Sequence, residues 1–298
     1  MSTNGFTLRD EPNQYIDILQ DGMIISRYMY AYDNSTQERL QQTYKPYLHV
    51  FNTEGTTPIT KGAGGHFTHH RGIFIGWNKI EHKAQSYDRW HMTDGEIIHR
   101  KFGEKTATQD FAILSSNTDW NDENQKPILR EVRHMTFSQP SEDDFRLQID
   151  FQSKLTAVAG NLVLNGDPEH AGVQYRPADE LVLEDTTYTF PQVEADPRLD
   201  VDYPWVSETY TLSGKRHTIV QLNHLDNPKE TNMFPIELCD KLASLQAGAP
   251  IHSFSYTQSR IRDELGSQIN DIFTEFDEKP IASGSIAQVY RAVLNGEV

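Results

Sequence analysis

The stretch GAGGHFTHHRGIFIGW, residues 62–77, joins a glycine-rich loop to a compact apolar segment. Three histidines and Arg71 lie in the loop, and an Ile-Phe-Ile run follows at residues 73–75. Glycines relax the steric limits on φ and ψ, whereas Ile-Phe-Ile suits a buried, pleated strand. The pattern predicts a flexible loop leading into a buried strand that holds the imidazoles and the guanidinium at its entrance.

Short apolar runs with turn residues between them continue on both sides of this stretch. Asp21-Gly22 and Ser213-Gly214 each separate two such runs, which is typical of hairpins. A helical spacing of apolar residues appears only near the end, at 236–245, and Ser255 with Gln258 forms a capping-box pattern. The fold class predicted is mainly β: a large antiparallel β-sandwich with a short, mostly helical C-terminal appendage. We expect a flexible tail over residues 1–14, the sandwich over 15–232 and the appendage over 233–298, with the boundary near Asn232.

Composition limits the classes of partner. The 298 residues carry a formal net charge of −16, and an acidic surface repels phosphate backbones, so we expect no nucleic-acid partner. The single cysteine, Cys239, excludes an internal disulfide and favours a reducing compartment, which predicts a cytoplasmic location. There is no run of 18 apolar residues, so we expect no transmembrane segment.

Five motifs in residues 15–232 carry a resemblance to a known family: HHRGIFIGW, GEIIHR, GDPEHAGVQYRP, YPW and NHLDNP. In this order they resemble the PmoA-like family. The resemblance implies a large β-sandwich of unsettled activity, often encoded beside sugar-processing enzymes. Members usually end with an arginine- and aromatic-rich strand after the NHLDNP-like motif, and that strand is absent here. We expect a strand within residues 286–294 to cover the edge that this leaves.

A second resemblance covers residues 233–298. The segments PIELCDKLASLQ, IRDELG and IASGSIAQVYRA resemble the entry to a UbiB-like atypical kinase, the last of them matching that family's alanine-rich nucleotide loop. The resemblance implies that the kinase lysine, catalytic loop and metal-binding aspartate lie beyond Val298. We therefore interpret this part as an incomplete kinase fragment and expect no kinase activity from it. A fused gene product joined near Asn232 is an alternative explanation.

Candidate site residues come from the histidine loop and from GDPEHAGVQYRP. Imidazoles titrate near neutrality and can exchange protons, a nearby cation can keep Glu169 ionised as a base, and strand alternation points Gln174 and Arg176 the same way. The predicted catalytic residues are His69, His70, Glu169 and His170. The predicted substrate-binding residues are His66, Arg71, His99, Gln174, Arg176 and His224. Ordinary surface loops and salt-bridged turns are the structural alternative.

The leading hypothesis is a carbohydrate-associated enzyme or sugar-binding protein that uses a His/Arg/Glu pocket. A non-catalytic binding module and a kinase-related protein are the alternatives. No cofactor is expected. A divalent metal stays open, although the H-x-x-H-H spacing is not a strong zinc signature, because no cysteine lies nearby and no helix presents the histidines. Two further expectations can be checked: the segments 66–71 and 169–176 converge in one cleft, and activity falls between about pH 7 and 5 as histidines protonate.

Overall fold

The computed structural model describes residues 5–140, 145–167, 169–192, 195, 203–224, 227, 253–279, 282–283, 288–289 and 291–294. These residues form two compact units. The first runs from residue 5 to Val182 and includes Leu212–Lys215, and the second comprises the other described residues. The predicted boundary at Asn232 and the predicted helix at 236–245 lie outside the described residues.

Strands dominate both units. The helices are α1 Gln37–Thr43, α2 Phe254–Leu265 and α3 Ile269–Ile272. The strands are β1 Phe6–Glu11, β2 Tyr15–Gln20, β3 Met23–Met29, β4 Tyr47–Val50, β5 Ile73–Trp77, β6 Ile80–His82, β7 Gln85–Tyr87, β8 Ile97–Ala107, β9 Phe111–Asn121, β10 Pro127–Ser138, β11 Gln148–Ala157, β12 Val163–Leu164, β13 Ala171–Tyr175, β14 Val182–Thr189, β15 Trp205–Leu212, β16 Lys215–Leu222, β17 Phe273–Phe276, β18 Ala282–Ser283, β19 Gln288–Val289 and β20 Ala292–Leu294.

The first unit is an antiparallel β-sandwich, as predicted. One sheet has the order β1-β2-β3-β4-β5-β13 and the other β11-β10-β9-β8. The turn between β2 and β3 has positive φ at Asp21 (52°) and Gly22 (81°), the combination that a tight hairpin of this twist requires. The predicted hairpin at 213–214, in which both residues also have positive φ, joins β15 to β16.

The core lies between the two sheets. Ile16, Ile18 and Leu48 of the first sheet pack in one buried cluster with Leu114 and Met135 of the second, and all five side chains are fully buried. Burying an aliphatic side chain of this size contributes about 1.5–3 kcal/mol. A second cluster, which includes Ile75 of β5 and Trp120 of β9, extends the core toward the histidine loop.

The expected flexible tail over residues 1–14 does not hold for the residues described. Residues 6–11 form β1, which pairs with β2 from Phe6↔Gln20 to Glu11↔Tyr15. Phe6 is buried in the core cluster, and Arg9 forms a salt bridge with the buried Asp17 at 2.6 Å. The polarity of this stretch concealed an edge strand, which exposes its outer residues to solvent.

One local expectation for the appendage is corrected. The N-cap of helix α2 is Ser253, two residues before the expected Ser255, and its side chain accepts from the Tyr256 amide. The helix ends at Gly266 with φ 68°, as expected. The strands at the end of the chain pair with each other, β17 with β20 and β18 with β19. The described strands within residues 286–294 therefore have partners inside the appendage, and the expectation that this stretch covers a sandwich edge stays a prediction.

No helix in the described part of the chain is long and apolar enough to cross a membrane.

Candidate functional site

The pairing of β5 with β13 brings the two polar segments together. Gly76 lies opposite Gly172 in this antiparallel pair, and the Arg176 amide donates to the Gly72 carbonyl at 2.8 Å. The Lys61 amide in turn donates to the Arg176 carbonyl at 2.9 Å. The loop before β5 and the ends of β13 therefore share one edge of the first unit, which confirms the predicted convergence.

Four imidazoles form a continuous row at this edge, which we call the imidazole row. The ring centroids of His70 and His69 are 4.3 Å apart, those of His69 and His91 4.6 Å, and those of His91 and His170 4.9 Å. His66 joins only indirectly, since its ring packs on Phe67, which packs on His70. Three of the predicted site histidines thus lie together around a fourth, His91, that the sequence reasoning missed.

Two members of the row are oriented by aspartates. The Nδ1 atom of His91 lies 2.8 Å from Asp88 Oδ2, and the Nδ1 atom of His170 lies 2.7 Å from Asp167 Oδ1. Both aspartates also accept from the backbone amide of their own histidine, at 2.7 and 3.1 Å. A carboxylate at Nδ1 favours a proton on that nitrogen and leaves Nε2 free to accept another. The two Asp–His pairs have the same sequence spacing, although Asp88 uses both carboxylate oxygens and Asp167 uses Oδ1 for both contacts.

The carboxylate of Glu169, predicted as the general base, lies beside the Asp167–His170 pair but is not hydrogen-bonded to the His170 ring; only the Glu169 backbone amide joins the pair, donating to Asp167 Oδ1 at 3.0 Å. Its Oε2 atom is 3.9 Å from His170 Nδ1, whereas Asp167 makes the short contact. Burial alone would raise the pKa of Asp167, yet hydrogen bonds from His170 and Asn78 lower it below its usual value. Asp167 therefore stays ionised and can hold the His170 ring.

The other two members of the row are held neutral. Burial, with further contributions from Lys45, His91 and Arg176, lowers the pKa of His69 to about 3. Burial and Arg176 also lower the pKa of His70 far below its usual value. Both rings consequently remain uncharged between pH 7 and 5. The expected loss of activity over that range cannot come from these two histidines.

A buried lysine lies under the row. Lys45 is 2% exposed, its ammonium donates to the Trp90 carbonyl at 2.8 Å, and it lies 3.9 Å from the centre of the Phe74 ring. Burial and the neighbouring Arg71 lower its pKa well below the ordinary value. Little in the sequence indicates this role, because Lys45 precedes a proline at the start of β4 and has no motif around it.

Arg71, predicted to bind substrate, instead stabilises the loop. Its guanidinium is fully buried and donates to the carbonyls of Thr68, Gln41 and Gln42. The last two carbonyls lie in the final turn of α1, where a cation is favourable. With its three nitrogens bonded to backbone, Arg71 can contribute charge to the site but not a direct ligand contact.

The remaining predicted residues divide between the site and elsewhere. Gln174 is fully buried on β13 opposite Phe74, and Arg176 follows that strand and acts electrostatically on both His69 and His70. His99 belongs to a different cluster: its Nδ1 lies 2.7 Å from Ser116 Oγ and its ring packs on Phe102. His224 is exposed and belongs to the second unit.

The signal that could have identified His91 is the spacing D-x-x-H. Of the twelve histidines, only His91 and His170 have an aspartate three residues before them. The spacing matters because a turn over four residues lets the carboxylate accept both the ring and the backbone amide of the histidine. Gly76 completes the arrangement, since a Cβ there would collide with the Arg89 carbonyl, and only glycine lets the Asp88–His91 segment pack directly on β5.

Metal ligation was the alternative use for these histidines. Among the described residues, no group of three or more His, Cys, Asp or Glu side chains is arranged to hold a metal ion. The arrangement instead suits proton transfer and hydrogen bonding.

Comparison with known proteins gives two separate matches. A family described as "Family of unknown function (DUF6807)" matches residues 15–237, and the "ABC1 atypical kinase-like domain" matches residues 244–297. The second match confirms the kinase-like fragment inferred from sequence. The first covers the stretch that resembles PmoA-like proteins, but it does not itself show that resemblance.

Several of the similar curated proteins are kinases by name. The chain is 38% identical over 94 residues to "Protein ACTIVITY OF BC1 COMPLEX KINASE 7, chloroplastic" of Arabidopsis thaliana, covering 31% of this chain and 13% of that protein. It is 43% identical over 63 residues to "Probable protein kinase UbiB" of Histophilus somni, covering 21% and 12%. The chain thus spans roughly a tenth of the length of these relatives. No solved structure matches the chain.

Proposed function

Because the chain belongs to DUF6807, a family of unknown function, we propose from the geometry of its first unit that it binds a sugar-like molecule and acts on it by proton transfer. The observation that carries the proposal is the imidazole row. It contains two aspartate-oriented rings, His91 and His170, whose centroids are 4.9 Å apart.

The row supplies what acid–base chemistry needs. A general base must be unprotonated and held within reach of the proton that it removes. Asp88 and Asp167 fix the rings of His91 and His170 with Nε2 as the accepting nitrogen. The second ring can return a proton on the other side of the same substrate. His69 stays neutral, so it can donate or accept a hydrogen bond to a hydroxyl without carrying charge.

The sugar-like ligand is the finer part of the proposal. Two motifs of the PmoA-like resemblance, residues 69–77 and 166–177, include β5 and β13, whose pairing builds the site. That resemblance implies an association with sugar-processing enzymes. Hydroxyl groups match the row chemically, because each can donate to an Nε2 atom. We also retain the cytoplasm as the proposed location, on the strength of the single cysteine.

Deuterium incorporation from solvent tests the proposal without knowledge of the product. A panel of monosaccharides is incubated with the protein in D2O, and carbon-bound deuterium is followed by proton NMR. We expect incorporation into at least one sugar, and a loss of roughly a hundredfold or more in Asp88→Asn and in Asp167→Asn. Asp150→Asn, at an exposed position on β11, is the matched control and should keep the wild-type rate.

The outcomes separate the candidate functions. Exchange that is unchanged in both aspartate variants would contradict the proposal. Saturable sugar binding without any exchange would assign the protein to the other class, a non-catalytic binding module, with the same residues as the binding site.

A kinase-related function is the second candidate, and the match over residues 244–297 favours it. The described strands in this segment have only two to four residues, and such short hairpins are marginal in water. Phosphoryl transfer also needs a positioned lysine and metal-binding residues. We expect millimolar MgATP to leave the melting temperature of the chain unchanged. A rise of several degrees would favour the kinase-related function.

A further inference from the structure

We propose that the ligand of this site is a sugar acid: a polyhydroxylated carboxylate whose carboxylate lies at the His69–His70 end and whose hydroxyl-bearing carbons lie at the His91–His170 end. This inference rests on the proposed function and deepens it, because it names the substrate class. Charge is distributed unequally along the imidazole row, and this would orient such a ligand.

Basic side chains converge at the His69–His70 end. Lys61 and Arg176 lie on neighbouring segments joined by the hydrogen bond between the Lys61 amide and the Arg176 carbonyl. Arg71 lies directly before β5, and Lys45 lies beneath, close enough that its charge acts on both histidines. Lys45, Lys61 and Arg176 thus act on the neutral His70, and Arg71 acts on Lys45 behind them.

Two of these cations form no salt bridge with any residue that the structure describes. The side chains of Lys45 and Arg71 donate to backbone carbonyls instead. Both side chains are almost completely buried, at 2% and 0% exposure. An uncompensated buried cation is costly, so an anion that binds beside it recovers much of that cost. Lys61, by contrast, already pairs with Asp179.

Apart from the aspartate that pairs with Lys61, the carboxylates of the site lie at the opposite end. Asp88 and Asp167 bind His91 and His170, and Glu169 approaches His170. An anionic group would be repelled there, whereas a hydroxyl could donate to an imidazole Nε2. The polarity of the row therefore orients a ligand that carries negative charge at one end only.

The protein as a whole would not attract such a ligand. Its formal net charge is −16, which repels anions, so a local cluster of cations needs a specific explanation. The pKa directions agree with a positive field: Lys45 and Arg176 help to lower the pKa of both His69 and His70, and Arg71 lowers that of Lys45. Asp88 raises the pKa of Lys45, but burial and Arg71 lower it by more. A bound carboxylate would raise all three pKa values, and binding should then take up protons.

The test compares matched pairs of ligands on the full chain by isothermal titration calorimetry: D-galacturonate against D-galactose, D-glucuronate against D-glucose, and inorganic phosphate alone. We expect saturable binding of at least one uronate, at least tenfold tighter than its neutral partner. Repeating the titration in buffers of different ionisation enthalpy should show proton uptake with the uronate and none with the neutral sugar.

Variants locate the carboxylate. Arg176→Gln and, as an independent change, His70→Asn should each weaken uronate binding by roughly tenfold or more, the scale of one charge-assisted hydrogen bond. Arg130→Gln removes an arginine that is 65% exposed on β10 and should leave affinity unchanged.

Each outcome decides a different claim. Neutral sugars that bind as tightly as their uronates would overturn the sugar-acid inference and leave the proposed function standing. Phosphate that binds as tightly as the uronates would show a general anion site and also overturn it. An absence of saturable binding by every sugar and uronate would overturn both.

Discussion

Replacing Arg133 by methionine should lower the free energy of unfolding of the sandwich more than any surface substitution does. The change leaves the carboxylate of Glu131 buried without its cation. Arg133 and Glu131 are 1% and 0% exposed. The guanidinium donates to the two carboxylate oxygens at 2.8 and 3.0 Å. Hydrogen bonds to charged groups contribute about 1.5–3 kcal/mol each, and breaking a buried ion pair typically costs about 3–5 kcal/mol.

Three donors remain for the carboxylate, the Trp120 indole and the hydroxyls of Thr118 and Ser153, at 2.9–3.0 Å. They partly compensate the charge, so we expect Arg133→Met to lower the free energy of unfolding by about 4 kcal/mol at pH 7. The deficit should shrink as the pH falls toward 5. Burial favours the neutral acid, and Arg133 is a main reason why the pKa of Glu131 lies below its usual value.

Urea denaturation followed by tryptophan fluorescence is the appropriate assay, because the Trp120 indole contacts Glu131 directly. Arg130→Met on the same strand is the matched control and should cost less than about 1 kcal/mol, since Arg130 is exposed. The double variant Glu131→Gln/Arg133→Met should be more stable than Arg133→Met alone. A loss below about 1 kcal/mol in Arg133→Met, or no recovery in the double variant, would refute the buried-pair reasoning.

Two further changes test the fold around the site. His49 is 8% exposed, and burial lowers its pKa to about 4. As the pH falls below 6.5, His49 is protonated in the unfolded chain before it is protonated in the folded one. The free energy of unfolding therefore decreases between about pH 6.5 and 4. His49→Phe should reduce that slope by up to about 1.4 kcal/mol per pH unit in urea titrations at several pH values, and an unchanged slope would show that other groups cause it. Gly76→Ala should displace the segment that carries His91, at a cost of about 1–3 kcal/mol, and should speed amide exchange in residues 88–91. Gly62→Ala is the control, because a Cβ there meets no atom nearer than 3.7 Å and, as at Gly76, the backbone is not left-handed. Protection of residues 88–91 equal to the wild type would contradict the close packing at Gly76.

The fold was largely predictable because its signals are local. Hairpin turns at 21–22 and 213–214, alternation along β10 and the glycine that ends α2 can each be identified from a few neighbouring residues. The strand at residues 6–11 was missed because edge strands tolerate polar residues on both faces. Local polarity therefore does not distinguish an edge strand from a flexible tail.

The candidate site was predictable only in part. The convergence of the two histidine segments followed from glycine turns next to buried strands. The roles of Arg71 and His91 did not, because they depend on contacts between residues distant in sequence. Arg71 donates to carbonyls about 30 positions earlier, and His91 is placed by its contacts with His69 and His170. The sequence around an arginine or lysine does not show whether its side chain is buried in the protein or faces a ligand.

The central claim is that four imidazoles from three separate segments form one row. Carbon-edited NOE spectroscopy on protein labelled at its histidine rings measures this directly. With centroids 4.3–4.9 Å apart, we predict ring-proton cross-peaks that connect His70 to His69, His69 to His91, and His91 to His170. In His91→Asn the two cross-peaks that involve His91 should disappear, and the cross-peak between His69 and His70 should remain. An absence of cross-peaks from the His91 ring to His69 and His170 in the wild type would contradict the row, as would persistence of the peaks assigned to those two contacts in His91→Asn.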